Sequence, residues 1–333
     1  MSPLWTWVLF LVSAGLIVLA ATQLAKYGDI IALRTGLGGM FIGVLLMAGA
    51  TSLPEVLTTI SSISQAVPNL AAGNLLGSNM FNMFLLAILD MAHRKERLLR
   101  KAALKHALSG SLAVFLIGLV VFFILADIQV SIAWIGVDSL VIIGTYIIAM
   151  LLIQKNAQHN IGHTVKVDIP EGTPSLARGL LGFSIAAIAL IFITPTMVSS
   201  SASIAEFTGL GTTFVGTTLV ALVTSLPELV TTLAAVKLGA DDMAIGNLFG
   251  SNLFNMFALG LTDFFYLQGR FMGVIDPAFL LVGMLGLIMT SMGLIGNIAR
   301  LERRVLFVEL DSLALTIVYF AGLWLLLNRG VAL

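Results

Sequence analysis

The chain reads TSLPE at Thr51–Glu55 and GNLLGSNMFNMF at Gly73–Phe84, and it reads TSLPE again at Thr224–Glu228 and GNLFGSNLFNMF at Gly246–Phe257. At this constant offset of 173 residues, 36–90 aligns with 209–263 without a gap, and about half of the aligned positions are identical. Chance similarity between apolar segments aligns Leu with Leu, but not Pro, Glu, Asn, Ser and Gly in the same order. The sequence therefore indicates a duplicated unit that is defined by its polar residues.

The composition around these segments is typical of a membrane protein. Of the 333 residues, 59% are hydrophobic and 10% are charged, whereas a soluble domain carries about a quarter charged residues. Long apolar stretches between short polar breaks indicate several membrane spans, which excludes a soluble enzyme, a nucleic-acid-binding protein and a disordered protein. The 17 basic and 17 acidic residues imply no polyanionic partner, and the absence of Cys excludes disulfides and thiolate metal sites.

The lengths of the apolar stretches predict ten transmembrane helices, because a span needs about 20 apolar residues to cross about 30 Å of hydrocarbon. The predicted limits are 4–25, 36–65, 68–91, 107–126, 131–153, 179–203, 210–237, 241–266, 274–298 and 309–328. The expected fold class is all-α, since backbone polar groups in lipid must be satisfied within the segment. The first stretch lacks a basic n-region and a small-residue cleavage site, so we expect a retained span and not a signal peptide.

The basic residues divide unevenly between the predicted loops. Fifteen of the 17 lie in the loops that follow spans 1, 3, 5, 7 and 9, and only Arg270 and Arg329 lie on the other side. Because basic residues collect on the cytoplasmic side, we expect both termini outside the cytoplasm and a location in the plasma membrane. We expect a first repeat at 1–153, a cytoplasmic loop at 154–178 and a second repeat at 179–333.

Five spans separate the two copies, and because five is an odd number the copies enter the membrane from opposite sides. Two inverted five-helix repeats are a hallmark of secondary transporters, which bind substrate near the membrane midplane at the repeat interface. The alternative is a duplicated structural scaffold with no transport role. The repeated residues disfavour this alternative, because they are polar residues that lipid penalises.

Glu55 and Glu228 lie deep inside predicted spans 2 and 7. A charge at that depth is costly unless it is paired, hydrated or neutralised, and such residues are usually functional. No Lys, Arg or His is predicted at a comparable depth, so the counter-charge must be a bound metal ion or a proton. The alternative is a pair of permanently protonated structural glutamates.

Other oxygen donors accompany both glutamates. Pro54 and Pro227 precede them and interrupt the helix, because proline lacks an N–H and crowds the preceding turn. In the next span, polar residues recur on one helix face, namely Asn74, Ser78 and Asn82 in the first copy and Asn247, Ser251 and Asn255 in the second. Small residues four apart, which allow close helix approach, are Gly73 with Gly77 and Gly246 with Gly250. Oxygen ligands favour Ca²⁺ or Na⁺ over Zn²⁺; the alternative for the amide stripe is interhelical hydrogen bonding.

These motifs resemble those of the cation/calcium exchanger superfamily, and most of all those of prokaryotic sodium/calcium exchangers. The resemblance lies in the two copies of TSLPE followed by GN-x-x-GSN-x-x-N, and ten spans would match the whole chain. It implies that Glu55 and Glu228 ligate Ca²⁺, with backbone oxygens of Thr51 and Thr224. It also implies sodium ligands at Ser52, Ser225, Ser78, Ser251 and the carbonyls of Ala48 and Ala221, and it places Asn82 and Asn255 at the last motif position.

Two positions depart from the pattern of that superfamily. Some members carry Asp where the second copy has Asn255, so the candidate site here has two carboxylates instead of three, which balance the charge of one Ca²⁺. The Gly that usually precedes the motif Thr is replaced by Ala50 and Val223. Val223 is β-branched and therefore stiffens a place where the helix must unwind.

The expected function is a secondary antiporter that exchanges Ca²⁺ for Na⁺ by alternating access. The chain is expected not to be an enzyme and to need no cofactor; its partners would be membrane lipid and the transported cations, and it would be a monomer or a homodimer. The main alternative is a proton/calcium antiporter, in which the glutamates bind protons in turn. A cation channel is disfavoured, because a channel needs a continuous pore and usually symmetric subunits.

Five further titratable residues have weaker interpretations. His159 and His163 are expected in a solvated loop. Asp138, inside predicted span 5, is expected to be either a buried hydrogen-bonding residue or part of an access path. Asp90 and Asp263 are expected at helix ends near the membrane interface.

Overall fold

The computed structural model describes residues 2–35, 49–92, 106–160, 172–237, 241–299, 304–305 and 308–330. These residues form helices almost throughout, which confirms the all-α fold class. Within these described ranges, eight helical segments are long and apolar enough to cross a membrane. Part of predicted span 2 lies outside the described residues, and predicted span 8 is a 25-residue helix whose Asn and Ser residues lower its hydropathy, so the count of ten spans stays a prediction.

The helices, in chain order, are α1 (Pro3–Thr35), α2 (Leu53–Ser64), α3 (Pro68–Ala92), α4 (Ala107–Ala126), α5 (Val137–Asn160), α6 (Leu176–Thr208), α7 (Gly211–Val215), α8 (Ala221–Thr224), α9 (Leu226–Lys237), α10 (Asp241–Phe265), α11 (Phe279–Ala299) and α12 (Leu310–Gly330). A π-helical turn (Gly216–Val220) joins α7 to α8, and a 3₁₀ turn (Phe271–Gly273) lies between α10 and α11. Antiparallel pairs are formed by β1 (Ser131–Ile132) with β2 (Ile135–Gly136) and by β3 (Arg304–Val305) with β4 (Val308–Glu309).

The offset of 173 residues extends far beyond the motifs from which it was inferred. It relates both ends of α1 to both ends of α6, both ends of α2 to those of α9, and both ends of α3 to those of α10. It also relates the first strand pair to the second, Ser131 to Arg304 and Gly136 to Glu309. The repeat therefore covers nearly the whole described chain without a net insertion.

Several boundaries differ from the predicted ones for physical reasons. The first helix of each half continues past its predicted end, to Thr35 and to Thr208, since a local fall in hydropathy does not by itself end a helix. Predicted span 5 begins at Val137 and not at 131, because the residues before it form β1 and β2, with Ala133 at a positive φ of 58° in the turn. Predicted span 7 is broken into α7, a π-helical turn, α8 and α9.

The two halves enclose each other's polar helix. Helix α3 packs against α11 and α12 of the second half, and α10 packs against α4 and α5 of the first half. As a result, 89% of the residues in an apolar 18-residue segment of α3 are buried. In the comparable segment of α6, which lies at the periphery, 17% are buried. Helices α1 and α6 pack along each other with an apolar cluster of their own. The polar stripes of α3 and α10 thus lie at the centre of the protein, away from lipid.

Candidate cation-binding site

Glu55 and Glu228 are fully enclosed at the centre of the molecule, with 1% and 0% exposure. Each lies in the first turn of a helix, α2 or α9, with Pro in the same turn. Proline suits this position, because the first helical N–H groups have no intrahelical partner and its φ is preset. Exposed N–H groups at a helix start also favour a negative charge.

The helix is interrupted directly before each of these two first turns. Ser52 has φ −87° and ψ 6°, and Ser225 has φ −90° and ψ 3°, a sparsely populated backbone region that is enriched in functional sites. The predicted interruption before each glutamate is therefore present in both copies.

The two interrupted segments are joined by crossed hydrogen bonds between the repeats. Ser52 donates through Oγ to Oε1 of Glu228 at 3.1 Å, and Ser225 donates through Oγ to Oε1 of Glu55 at 3.1 Å. The serine of each repeat thus donates to the glutamate of the other. The two acidic groups therefore belong to one hydrogen-bonded cluster, which makes them a single candidate site.

The second oxygen of each carboxylate, Oε2, is buried without a hydrogen-bond partner among the described residues. The same holds for four neutral oxygens on α3 and α10, which are Ser78 Oγ, Ser251 Oγ, Asn82 Oδ1 and Asn255 Oδ1. Ser251 lies beside the Glu228 carboxylate without the geometry of a hydrogen bond. The six oxygens form three pairs at the repeat offset. Because buried polar atoms are normally satisfied, these six oxygens are candidates to bind a ligand.

The first residues of the polar stripes hold the site together. Asn74 donates to the backbone oxygen of Glu55 at 2.9 Å and accepts a hydrogen bond from Thr224 Oγ1 at 2.8 Å. Asn247 donates to Thr232 Oγ1 at 3.1 Å and contacts Thr231. Asn74 and Asn247 therefore form interhelical hydrogen bonds, which is the alternative interpretation of the polar residues on this helix face.

Helix α3 approaches the π-helical turn closely at its glycine pair. The sequence predicts a close helix approach there, but not that the partner is a π-helical turn. A Cβ atom at Gly73 would lie 2.8 Å from the backbone of Gly216 and Thr217, and one at Gly77 would lie 2.7 Å from Thr217 Cα. The expected close approach at this glycine pair is thus directed at a π-helical turn, a feature often found at functional sites. Gly-Thr occurs twice shortly before the second TSLPE, at 211–212 and 216–217. No spacing rule, however, distinguishes a π-helical turn from an α-helical turn in such a sequence.

The remaining predicted ligands fall in different places. Thr51 is fully buried beside the Glu228 carboxylate. The carbonyl of Ala221 already accepts from Ser225 N at 3.1 Å and from Thr224 Oγ1 at 3.3 Å. Ala48 lies outside the described residues, as does His163, and of His159 only the backbone is described.

No basic side chain pairs with either glutamate among the described residues. The ion pairs between described residues join Arg270 to Asp127 at 3.0 Å and to Asp138 at 3.3 Å. Asp138 is buried and accepts the backbone N–H of Ser139 at 2.8 Å, as the first of its two interpretations expected, whereas its ion pair with Arg270 was not expected. Hydrogen bonds from Gln129 and Arg270 hold the pKa of Asp127 below its usual range.

The two aspartates that close the polar helices connect them to the other half. Asp263 accepts the backbone N–H of Gly136 at 2.9 Å and that of Phe271. Asp90 accepts from Ser312 Oγ at 2.7 Å. Both therefore lie at helix ends, as expected, but both are buried and tie α10 and α3 to the opposite repeat.

Comparison with known proteins identifies a family. The family model described as sodium/calcium exchanger protein matches residues 5–154 and 178–328. The putative antiporter CaxA of Alkalimonas amylolytica is 27% identical over 257 residues, which are 75% of this chain and 77% of that protein. The sodium/calcium exchanger MaX1 of Methanosarcina acetivorans is 27% identical over 291 residues, covering 75% of this chain and 80% of that protein.

Solved structures share the fold. Native YfkE superimposes with a TM-score of 0.67 at 18% identity, over 96% of this chain and 92% of that chain. The sodium-calcium exchanger NCX_Mj, soaked with 2.5 mM Na⁺ and 0.1 mM Sr²⁺, gives a TM-score of 0.60 at 22% identity, over 96% of this chain and 98% of that chain. At these identities the likeness establishes the architecture.

Proposed function

This chain belongs to the sodium/calcium exchanger protein family, and from that premise we propose that it exchanges Ca²⁺ for Na⁺ across a membrane by alternating access. It is a multi-pass membrane protein of a family of ion exchangers that are not enzymes and use no cofactor. The coupling ion, the ligands and the orientation in the membrane are the parts of the proposal that go beyond the family.

The observation that supports the proposal is the pair of buried glutamates without a basic partner among the described residues. Two carboxylates enclosed at the centre of the protein need a total charge of about +2 from elsewhere, and one Ca²⁺ supplies it. Ca²⁺ takes about six to eight oxygen ligands. The unpartnered oxygens of Glu55, Glu228 and the four neutral side chains offer six, so the donor set fits the ion.

The neutral oxygens support Na⁺ over H⁺ as the coupling ion. A proton needs only a carboxylate to bind, whereas a metal ion needs several oxygen ligands around it. Sodium is a hard cation that is coordinated by such oxygens, and Ser78, Ser251, Asn82 and Asn255 present them in repeat-related pairs. Ser52, Ser225, Thr51, Thr224, Ala221 and Ala48 remain proposed ligands on the basis of the family motif.

The same electrostatics explain why exchange would be coupled. The empty site carries two uncompensated carboxylates, which would be costly to enclose, whereas a site filled by one Ca²⁺ or by sodium ions is close to neutral. The protein can therefore reorient when the site is loaded and does so poorly when it is empty. Because reorientation requires a loaded site, one ion can cross only in exchange for another, and leak is prevented.

Two repeats of opposite orientation would expose this site to each side in turn. We propose repeats at 1–153 and 179–333, joined by a cytoplasmic loop at 154–178. The distribution of the basic residues supports extracytoplasmic termini, and we propose the plasma membrane as the location. Helices α5 and α6, which flank the loop, end at Asn160 and begin at Leu176.

The proposal is tested by ⁴⁵Ca²⁺ uptake into proteoliposomes that contain the purified full chain. An outward sodium gradient at clamped pH should drive uptake, while equal potassium or proton gradients should not. Uptake driven by protons alone would establish the proton/calcium alternative, and single-channel currents in a planar bilayer would establish a channel. No uptake with any gradient would refute calcium exchange altogether.

A further inference from the structure

Four asparagine side chains form a crossed pair of hydrogen bonds between α3 and α10. Asn82 donates through Nδ2 to Oδ1 of Asn252 at 3.0 Å, and Asn255 donates through Nδ2 to Oδ1 of Asn79 at 3.1 Å. All four side chains are almost fully buried. The repeat offset relates the two bonds, so each repeat supplies one donor and one acceptor.

The crossed bonds determine which atom the donor amides leave for a cation. Because Nδ2 of Asn82 and Nδ2 of Asn255 are held by the opposite repeat, the Oδ1 atoms point elsewhere. Both Oδ1 atoms are buried without a hydrogen-bond partner among the described residues. A rotated amide would present N–H groups there, and those repel a cation because an amide nitrogen is a donor only.

The two acceptors are not anchored equally. Asn252 donates through Nδ2 to Thr290 Oγ1 at 3.3 Å, and Thr290 in turn donates to the backbone oxygen of Gly286 at 2.7 Å. The repeat offset places Ile117 of α4 at the position that corresponds to Thr290. Isoleucine offers no acceptor, and Nδ2 of Asn79 is buried without a partner among the described residues.

We propose that Asn79 and Asn252 are positioning residues that hold the oxygens of Asn82 and Asn255 toward the transported cation, and that Thr290 makes the Asn82 side the firmer one. The inference rests on the proposed function, because it concerns the same site. A firm ligand discriminates cations by size, whereas a loose one adapts to several. Loosening Asn252 therefore weakens Ca²⁺ binding and brings the affinities for Ca²⁺ and the larger Sr²⁺ closer together.

The test titrates CaCl₂ or SrCl₂ into the purified full chain in detergent and follows thermal unfolding, which reports binding without transport. Thr290→Val removes the hydroxyl and keeps the shape, and Thr290→Ser, which keeps the hydroxyl, is the matched control. We expect Thr290→Val to raise the half-saturating Ca²⁺ concentration about two- to tenfold, the effect of one net hydrogen bond, and to raise the Sr²⁺ value less. Thr290→Ser should behave as the wild type does.

The other repeat offers the opposite experiment. Ile117→Thr gives Asn79 an acceptor, and Ile117→Val is the control that changes volume without adding a hydroxyl. We expect Ile117→Thr to lower the half-saturating Ca²⁺ concentration about twofold or more, with no change for Ile117→Val. Asn252→Leu, which removes the acceptor for Asn82, should exceed the effect of Thr290→Val. In ⁴⁵Ca²⁺ exchange these changes should appear in half-saturation, while the maximal rate is kept.

Thr290→Val and Thr290→Ser with the same half-saturating concentration would overturn the inference. If Thr290→Val does not give a monodisperse folded protein, the Ile117 pair decides in the same way. A wild type that Ca²⁺ stabilises, with variants that do not differ from it, refutes this inference and leaves the proposed function intact. A wild type that neither cation stabilises refutes both.

Discussion

The first repeat and the second repeat agree at the glutamates and differ at the ends of their last helices. Ser225 donates to Glu55 and Ser52 to Glu228, both at 3.1 Å. At the start of α5, Asp138 pairs with Arg270 at 3.3 Å. Asp138 and its counterpart Asp311 at the start of α12 both accept the backbone N–H of the next residue. Ser312 donates through Oγ to Asp90 at 2.7 Å, whereas Oγ of its counterpart Ser139 has no hydrogen-bond partner among the described residues.

This difference has a physical meaning for an exchanger. A site that must bind the same ions from either side of the membrane gains from equal contributions by both inverted repeats. The ends of the helices have no such requirement, because each faces a different compartment and has only to keep its helix in place. The contacts of the two carboxylates are therefore equivalent in both repeats, whereas the contacts at the starts of the last helices are not.

The largest effects are expected at the glutamates, and they should be equal in the two repeats. Glu55→Gln and Glu228→Gln each remove one of the two charges that a Ca²⁺ ion would neutralise, so calcium exchange should fall to background in both. The measurement is ⁴⁵Ca²⁺ flux in liposomes, with the exposed Glu206→Gln on α6 as the matched control. A variant of either glutamate that kept its flux would contradict the equality of the repeats.

The second effect is expected at Arg270, which pairs with a buried aspartate of the other repeat. Arg270→Met leaves Asp138 buried without its ion-pair partner, and breaking a buried pair from one side costs about 3 kcal/mol or more of stability. Thermal unfolding in detergent should show a lower midpoint. The double variant Arg270→Met with Asp138→Asn should recover most of the loss. If it remained as unstable as the single variant, the ion pair would not be the cause.

A smaller loss is expected at the close approach of α3 to the π-helical turn. Gly77→Ala places a Cβ atom 2.7 Å from Thr217 Cα and against its carbonyl oxygen, and such overpacking costs about 1–3 kcal/mol. Gly144→Ala on α5 is the control, because a Cβ there meets no atom within 4 Å and alanine favours a helix. Equal unfolding midpoints for the two variants would rule out the close approach as a constraint.

The smallest effect compares one serine with its repeat counterpart. Ser312→Ala removes the hydroxyl that donates to Asp90 at 2.7 Å and should cost about 1 kcal/mol. Ser139→Ala should be nearly neutral, since Oγ of Ser139 has no partner among the described residues and Asp263 is served by backbone N–H groups instead. Equal losses in the two unfolding experiments would show that the helix ends are more alike than the contacts indicate.

Much of the candidate site could be predicted because its signals are local. A glutamate after Ser-Leu-Pro in an apolar chain indicates a buried, interrupted helix, and Asn and Ser at helical spacing indicate one polar face. The roles of Asn79 and Asn252 could not be predicted, although both occur in the repeated motif. Their partners, Asn255 and Asn82, lie 176 and 170 residues away in the chain, and no pattern in one segment specifies such a pair.

The same reasoning applies to the fold. The apolar lengths predicted the helices, but not the β1–β2 turn or the π-helical turn, since hydropathy does not distinguish a short hairpin from the start of a span. Asp138 could be placed inside a helix from the sequence, whereas its pairing with Arg270 depends on how α5 and α10 pack.

The sequence by itself determined that this is an all-α membrane protein built from a duplicated unit, with two carboxylates and their oxygen donors buried in it. Composition, hydropathy and spacing suffice for this, because they act within each segment. Only the tertiary structure decided that each repeat completes the other, with serines, asparagines and helix ends exchanged between the halves. The physical reason is that contacts between distant segments are selected by the packing of whole helices, which depends on every helix at once.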